Sequence, residues 1–285
     1  MRERDQLFKL HTEHLTIEGR SRAGHESWFH VHELGAALDI GRCPDAIVPL
    51  PHVFIPHAHL DHALGIPFYA GQRKLQRIPG GRVYVPDENV DDFRELMAIH
   101  TRLEKTDYDI ELVGMHAGDT IRIGRTVMVR AHQATHRVAA RGYEFIETRH
   151  YLKREFAGRE GSELAALRRE GVRLHEEAEV PILFYTGDTD RGMLEQNDAL
   201  FKAEVLMIEC SFAADGHQSR AAQYRHIHFD DIAGFAERFE NRFIVLTHFS
   251  KRYSREQAVD LIRRRCPAVL RDRVRLAFPA PFDRL

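Results

Sequence analysis

The sequence of 285 residues has few cysteines, no long apolar run and little net charge, and each absence excludes a class of protein. Cys43, Cys210 and Cys266 are odd in number and lack metal-type spacing, so we expect reduced packing residues in a cytosolic protein. No apolar stretch approaches roughly 18 residues, and residues 1–5 are charged, which argues against membrane spanning and export and favours a cytoplasmic location. A net charge of −2 is not that of a general nucleic-acid binder.

A cluster of metal-type side chains follows the apolar run 53–55: His57, His59, Asp61 and His62 lie within one short segment. Imidazole and carboxylate ligands together suit zinc, manganese or iron(II). His57 and His59 are two apart on extended backbone, so they face the same way and can hold one ion, while Asp61 and His62 can reach a second. A two-metal site activates water for a displacement at phosphorus or carbonyl carbon. The alternative is a His-rich surface loop in a chain with 19 histidines.

Three further metal-type residues each follow a strand pattern. His136 comes after residues 127–130, Asp188 after the apolar run 182–186, and His248 after the apolar run 243–247. Strand ends at one rim of a sheet are where α/β folds build sites, because the sheet holds the side chains rigidly. We therefore expect these three residues to meet the first cluster.

These motifs resemble the metallo-β-lactamase superfamily and, within it, ribonuclease Z, the endonuclease that trims the 3′ end of precursor tRNA. The resemblance rests on the H-x-H-x-D-H cluster, Gly142-Tyr143, Thr-Gly-Asp-Thr at 186–189, and Leu-Thr-His-Phe-Ser-Lys-Arg-Tyr at 246–253. Segments 24–27, 39–44, 151–158 and 226–228 extend it, and they are similar to the short plant-type branch. One departure is Ala139-Ala140-Arg141, where the family usually has a serine, which removes a hydroxyl near the phosphate.

The resemblance implies one αββα sandwich over residues 1–285, with a short inserted substrate arm at about 148–179. Strand and helix patterns alternate in two similar halves, which fits two packed sheets covered by helices. The resemblance further implies two divalent ions per chain, zinc being expected and manganese or iron(II) being alternatives. The first ion would be held by His57, His59 and His136, and the second by Asp61, His62 and His248, with Asp188 between them.

For catalysis, the resemblance implies a hydroxide shared by the two ions, with Asp61 among the catalytic residues. His226 occupies the position of the acid that protonates the departing ribose 3′-oxygen, and Glu209 that of the carboxylate that orients it. His228 lies on the same side of an extended chain, so spacing alone leaves either histidine as the donor. Arg252 is a candidate phosphate ligand because its planar guanidinium matches phosphate oxygens.

Residues 149–173 contain seven Lys or Arg against four Glu, a balance that attracts phosphate backbones. The resemblance implies that this arm grips the tRNA elbow, and we assign Lys153, Arg154 and Arg159 to that contact. It also implies a homodimer in which the arm of one subunit holds the tRNA that the other cleaves. Without the resemblance, a solvated helical hairpin that shields the site is the simpler interpretation.

Two other functions remain open at this point. The first is a hydrolase of the same fold that acts on a small thioester, lactone or phosphodiester, which the net charge and the Ala139-Ala140 departure favour. The second is a metal-bearing RNA-binding protein without activity, which the complete set of seven ligand-type residues disfavours.

Overall fold

The computed structural model describes residues 7–285, so the charged residues 1–5 lie outside the described part of the chain. The strands are β1 (Phe8–His11), β2 (Thr16–Arg22), β3 (Glu26–Val31), β4 (Ala36–Leu38), β5 (His52–Phe54), β6 (Arg82–Pro86), β7 (Glu111–Met115), β8 (Thr120–Ile123), β9 (Val127–Gln133), β10 (Arg141–Leu152), β11 (His175–Tyr185), β12 (Val205–Glu209), β13 (Phe243–Thr247) and β14 (Val274–Leu276). The α-helices are α1 (Leu60–Ala63), α2 (Ile66–Leu75), α3 (Asp87–Glu104), α4 (Gly161–Arg169), α5 (Gly192–Gln196), α6 (Gln218–Tyr224), α7 (Phe229–Gly234) and α8 (Arg255–Arg265).

The strands form two seven-stranded sheets, one from each half of the chain. In the first sheet, β1 to β4 are antiparallel neighbours and β4 to β7 are parallel. The second sheet has the order β14 to β8, with β8 to β11 antiparallel and β11 to β14 parallel. Each half of the chain therefore forms a mixed sheet in which the earlier strands are antiparallel and the later strands are parallel.

The two sheets pack face to face through a shared apolar core. Phe29 and Phe54 of the first sheet belong to the same buried cluster as Tyr143 and Tyr185 of the second. A separate apolar layer joins α2 and α3 to the outer face of the first sheet. Another joins α7 and α8 to the outer face of the second. The expected αββα sandwich is confirmed.

The helix starts follow local signals in the sequence. Helix α3 begins at Asp87, because Pro86 ends β6 and two acidic residues begin the first turn of the helix. At α8, Ser254 Oγ accepts a hydrogen bond from the Gln257 N–H, and Gln257 in turn accepts one from the Ser254 N–H. This pair of reciprocal hydrogen bonds is a capping box. Among residues 7–285, no helix has the length and apolarity needed to cross a membrane.

The arm is a continuation of the β10–β11 hairpin beyond the body of the second sheet. The antiparallel pairing of these strands extends to Leu152 and His175. A turn of 3-10 helix (Arg154–Phe156) and the exposed helix α4 connect the two strands. The three cysteines are buried and unpaired. Burial raises the pKa of Cys43 to about 12, which fits a packing residue rather than a reactive thiol.

Candidate metal centre

Four strands end at one rim of the sandwich, and the segments that follow them contain the ligand-type residues. Parallel strands β5, β11 and β13 run in the same direction within their sheets, so their carboxyl ends deliver His57, Asp188 and His248. Such carboxyl ends are the usual place for sites in α/β folds. His136 follows β9, and an isolated bridge between His57 and Ala140 joins the two sheets at this rim.

The first group of ligand-type atoms comprises His57, His59, His136 and Asp188, which all lie within 4.8 Å of one another. His59 Nδ1 is 3.0 Å from His57 Nε2 and 3.4 Å from His136 Nε2. Asp188 Oδ2 is 3.7 Å from His57 Nε2. His59 begins a short helix rather than continuing a strand, but its imidazole still faces the one of His57, as predicted from their spacing.

The second group comprises Asp61, His62 and His248. His248 Nε2 lies 3.3 Å from Asp61 Oδ2 and 3.4 Å from His62 Nε2. Asp188 contacts this group as well, since its Oδ1 is 3.5 Å from His62 Nε2 and its Oδ2 is 3.3 Å from His248 Nε2. The Asp188 carboxylate therefore lies between the two groups.

The electrostatics favour the metal-binding form at His57 and Asp188. Burial lowers the pKa of His57 well below its ordinary value, so this imidazole is neutral and its lone pair is available. Burial alone would raise the pKa of Asp188, but the neighbouring His248 and His62 lower it, and the carboxylate stays ionised. Neutral imidazoles and charged carboxylates are the forms that bind metal ions. At His62, burial lowers the pKa, but the carboxylates of Asp39 and Asp188 raise it well above its ordinary value, so this imidazole must lose a proton to bind a metal ion.

The donor atoms fit one or more divalent ions. His59 Nδ1 faces two Nε2 atoms at once, so three basic nitrogens crowd a space that a cation would stabilise. Asp188 Oδ1 is buried and has no hydrogen-bond partner among the described residues. A mixed set of imidazole and carboxylate ligands is typical of zinc, manganese and iron(II).

Each of three imidazoles is oriented by a hydrogen bond at its other nitrogen. His62 Nδ1 is 2.8 Å from Asp39 Oδ2, and His136 Nδ1 is 3.0 Å from the carbonyl oxygen of Arg225. His248 Nδ1 is 2.9 Å from Ser211 Oγ. Such contacts fix the ring orientation of metal ligands. The sequence interpretation assigned no role to these three supporting residues, because nothing local marks them.

The backbone is strained at two of these positions. Asp39 has φ 62° and His248 has φ 58°, both in the left-handed region that favours glycine. Strain of this kind persists where the surrounding contacts determine the conformation, and it concentrates at functional sites.

His226 lies beside the metal centre and is paired with Glu209. His226 Nδ1 is 2.7 Å from Glu209 Oε1, and its ring centre is 5.2 Å from that of His136. Burial lowers the pKa of His226, but the Glu209 carboxylate outweighs that effect and raises the pKa to about 9. Glu209 is fully buried and also accepts hydrogen bonds from the Thr189 N–H and the Ser211 hydroxyl.

His228 has a different environment, although alternation along an extended chain would place it beside His226. His228 is the N-cap of α7, and its Nδ1 accepts a hydrogen bond from the Asp230 N–H. Its Nε2 donates to the carbonyl oxygen of Ala214. Both ring nitrogens are therefore occupied by structural contacts, because the chain turns into a helix at this residue. The structure does not bring His228 into the metal centre.

A basic cleft opens next to His226. Its lining includes Arg220, Tyr224, Lys251 and Arg252, and its volume is about 410 Å³. Arg252 Nη1 donates to Ser250 Oγ over 3.1 Å, which holds the guanidinium at the cleft. This places Arg252 where a phosphate beside the metal centre could be bound.

The Ala139-Ala140 departure lies at the edge of the metal centre. Ala140 is fully buried, and its carbonyl oxygen accepts a hydrogen bond from Arg141 Nη1 over 2.9 Å. The Arg141 guanidinium is also buried, and its Nη2 donates to both carboxylate oxygens of Glu88. Ala139 and Ala140 offer no side-chain donor to a substrate.

The three predicted arm residues lie away from the metal centre. Arg154 and Arg159 are exposed, and the Arg159 guanidinium stacks on Phe156 at 5.5 Å from the ring centre. Lys153 Nζ is 3.8 Å from Glu155. Residue 152 is about 35 Å from residue 141 along β10, given the rise of a strand. These side chains therefore lie too far along β10 to contact a small group bound at their own chain's metal centre.

Comparisons with known proteins agree with this geometry. The family model of the beta-lactamase superfamily domain matches residues 35–249. The tRNase Z TRZ1 of Arabidopsis thaliana is 33% identical over 256 residues, which are 89% of this chain and 91% of that protein. The chloroplastic tRNase Z TRZ2 of the same plant is 32% identical over 86% of this chain and 70% of its own length.

Solved structures show the same fold at lower identity. The human tRNase Z short form, ELAC1, superposes with a TM-score of 0.58 at 17% identity and covers 83% of this chain and 93% of its own. The metallo-beta-lactamase fold protein YhfI of Bacillus subtilis has a TM-score of 0.61 at 15% identity and covers 91% of this chain and 94% of its own. Together with the family match and the two plant relatives, these findings show that the chain belongs to the metallo-β-lactamase superfamily and, within it, is a homologue of the plant tRNase Z proteins.

Proposed function

We propose that this protein is a metal-dependent endoribonuclease that hydrolyses the phosphodiester at the 3′ end of precursor tRNA. The observation that carries the proposal is the His226–Glu209 pair directly beside the convergent His and Asp side chains. A hydrolase of activated small esters does not need a protein acid, whereas a ribose 3′-oxygen is a poor leaving group that does. The identity to plant tRNase Z over most of both chains supports the same activity.

Two divalent ions, zinc by expectation, fit the ligand-type residues described above. His57, His59 and His136 would hold one, Asp61, His62 and His248 the other, and Asp188 would contribute to both. When bound, the ions would activate water near neutral pH and neutralise charge on the phosphate. Asp61 therefore serves catalysis as a ligand, and Asp39 and Ser211 serve it by orienting the imidazoles of His62 and His248.

His226 would supply the proton to the leaving 3′-oxygen. Its Nδ1 is occupied by Glu209, so Nε2 is the nitrogen that is free to donate. The raised pKa keeps the imidazole protonated at neutral pH, which suits a general acid. Glu209 is a positioning residue that fixes the ring and stabilises its positive charge, while His228 only caps α7.

Basic residues at two separate places would hold the RNA. Arg252 lines the cleft beside His226 and would bind a phosphate near the cleaved bond. Lys153, Arg154 and Arg159, on the distant arm, would bind backbone phosphates far from the cut. A folded RNA is long enough to reach both places, whereas a small substrate is not.

The homodimer expected from the resemblance has a suitable surface on α1 and α2. Leu60, Leu64 and Phe68 are more than half exposed, and they adjoin one another, since Leu64 lines one cavity with Leu60 and another with Phe68. Contiguous exposed apolar residues of this kind mark protein contacts, and they offer nothing to a phosphate backbone. We therefore assign this surface to a second copy of the chain. Phe68→Glu should convert a dimer to a monomer in light scattering, whereas the exposed Gln76→Glu, on the same segment, should not.

The test is to compare substrates with one preparation of the metal-loaded protein. We expect a single cut at the 3′ end of a precursor tRNA, leaving a 3′-hydroxyl on the tRNA, and no comparable turnover of a panel of thioesters and lactones. Asp188→Ala is the inactive control. Efficient thioester or lactone hydrolysis with an intact precursor tRNA would refute the proposal.

A small-molecule phosphodiesterase is the second candidate. The net charge of −2 and the absence of a hydroxyl at residues 139 and 140 favour it. This second candidate predicts that replacing Lys153, Arg154 and Arg159 leaves the turnover of the physiological substrate unchanged. The RNA-processing proposal predicts the opposite.

A further inference from the structure

Tyr224 is the last residue of α6, and it lines the cleft that contains His226. Tyr224 is 36% exposed, a large fraction for an aromatic residue two positions from the largely buried His226. The cleft contains no other exposed aromatic ring among its described lining residues, since Phe212 is buried. Tyr224 therefore offers a flat apolar face to whatever enters.

Two guanidinium groups flank this ring. Arg220, one turn earlier on α6, has its Cζ 5.7 Å from the ring centre, and Arg137 has its Cζ at 5.9 Å. Both guanidinium groups lie over the ring at distances near the upper limit of about 6 Å for a cation–π contact, so these are loose contacts that a stacking base can replace. The result is a partly exposed aromatic ring with positive charge beside it.

This surface is fixed relative to the metal centre by reciprocal hydrogen bonds. The carbonyl oxygen of Arg225 accepts from His136 Nδ1 over 3.0 Å, and Arg225 Nη1 donates to the carbonyl oxygen of His136 over 3.2 Å. Tyr224 and His226 are the two neighbours of Arg225, and Arg137 follows His136. The hydrogen-bonded pair of Arg225 and His136 therefore connects Tyr224, Arg137 and the candidate acid His226.

We propose that Tyr224, with Arg137 and Arg220, forms a stacking subsite for the unpaired base of the nucleotide that supplies the leaving 3′-oxygen. Aromatic rings stack on any base, and bordering arginines bind the adjoining phosphates, which is the general pattern of single-stranded nucleic-acid recognition. Because His226 protonates that 3′-oxygen, a ring two residues away is suited to the base of the same nucleotide. This inference rests on the proposed function.

The subsite selects for an unpaired nucleotide rather than for a base sequence. A stacking surface has no hydrogen-bond pattern to match, whereas a base within a duplex presents no free face. The subsite would thus place the cut after the first unpaired nucleotide that reaches the metal centre. It also gives a small phosphodiester without a base no benefit from Tyr224.

The experiment compares wild type, Tyr224→Ala and Tyr224→Phe on two precursor substrates, one normal and one abasic at the nucleotide before the cut. On the normal substrate, Tyr224→Ala should raise KM about 5- to 150-fold, the range for loss of one stacked base. Tyr224→Phe keeps the ring and should stay close to wild type. On the abasic substrate, the three proteins should have equal KM, and metal content should be equal throughout. Equal effects of Tyr224→Ala on both substrates would refute the subsite.

A binding measurement separates this inference from the proposed function. The probe is a minihelix that carries 2-aminopurine as its unpaired 3′-terminal nucleotide, whose fluorescence falls on stacking. We expect quenching with wild type and Tyr224→Phe, but not with Tyr224→Ala. Quenching that depends on Tyr224 supports the subsite even if precursor tRNA is not cleaved. Quenching that survives Tyr224→Ala refutes it even if cleavage is efficient.

Discussion

Asp39 Oδ2 lies 2.8 Å from Nδ1 of His62, and both side chains are buried. The contact directs Nε2 of His62 towards Asp61, His248 and Asp188. Asp39 also accepts a hydrogen bond from the Tyr185 hydroxyl. The orientation of one ligand-type imidazole thus depends on a carboxylate that belongs to neither group of ligand-type residues.

Asp39→Asn should therefore weaken metal binding, although it removes none of the ligand-type residues. Loss of such a supporting carboxylate typically costs 10- to 100-fold in metal affinity. Competition with a chromogenic chelator measures the change. The exposed Asp45→Asn, six residues later, is the matched control and should bind metal like wild type. An unchanged affinity in folded Asp39→Asn would mean that His62 is not a ligand.

We expect two equivalents of metal per chain in protein purified without chelator, because two groups of donor atoms share Asp188. Asp61→Ala should lower the content towards one equivalent, since it removes a donor from the second group only. Elemental analysis measures both values. One tightly held ion in wild type, with no further loss in Asp61→Ala, would contradict the two-site assignment.

The two histidines of the His-Ile-His segment should respond in opposite ways. His226→Ala should slow precursor tRNA cleavage by roughly 10²- to 10⁴-fold, the usual contribution of a general acid. Its metal content and thermal stability should be unchanged. His228→Ala should instead lower stability by about 1 kcal/mol, as for loss of a helix cap, and leave kcat near wild type. The reverse pattern would identify His228 as the donor.

The pH dependence of cleavage should report the Glu209–His226 pair. The acid acts in its protonated form, and Glu209 raises the pKa of His226 to about 9, so the rate should fall as the pH rises through that value. Glu209→Gln removes the charge that raises the pKa, so the fall should begin at lower pH. Single-turnover rates across the pH range measure both profiles. Identical profiles would show that His226 is not the titrating acid.

The arm should contribute salt-dependent affinity. Replacing Lys153, Arg154 and Arg159 with Ala should weaken precursor tRNA binding and flatten its dependence on salt, because fewer counterions are released. Hydrolysis of a small phosphodiester should barely change. The exposed arginines of α8, Arg255, Arg263 and Arg264, provide a control that removes the same three charges.

Mixing the arm variant with Asp188→Ala tests whether the arm acts across a dimer. A mixed dimer has one intact arm opposite one intact metal centre, so activity should recover when subunits exchange. No recovery despite proven exchange, or normal tRNA binding by the arm variant, would mean that the arm does not act in this way.

Much of the fold was predictable because its signals are local. Apolar runs ended at His57, Asp188 and His248, and the structure places strand ends there, so the periodicity was enough to bring these side chains to one rim. The capping box at Ser254 was likewise contained within one turn. The family resemblance supplied the pairing of the two sheets, which periodicity alone does not determine.

The remaining features depend on contacts between distant residues. Nothing near Asp39 indicates that it supports His62, 23 residues later, and nothing near Arg225 indicates its bonds to His136, 89 residues earlier. The choice between His226 and His228 could not be made either, because alternation assumes an extended chain. A helix begins directly after His228, so the assumption of an extended chain does not hold there.

The division of the centre between the two halves of the chain has a consequence for biosynthesis. Four of the seven ligand-type residues precede residue 63, whereas His248 follows β13, near the end of the sequence. A ribosome makes the chain from its N-terminus, so a nascent chain contains the first four long before the last. Until β13 has been made and paired with β12, the centre lacks one of its donors. Partly synthesised chains therefore cannot assemble the complete centre.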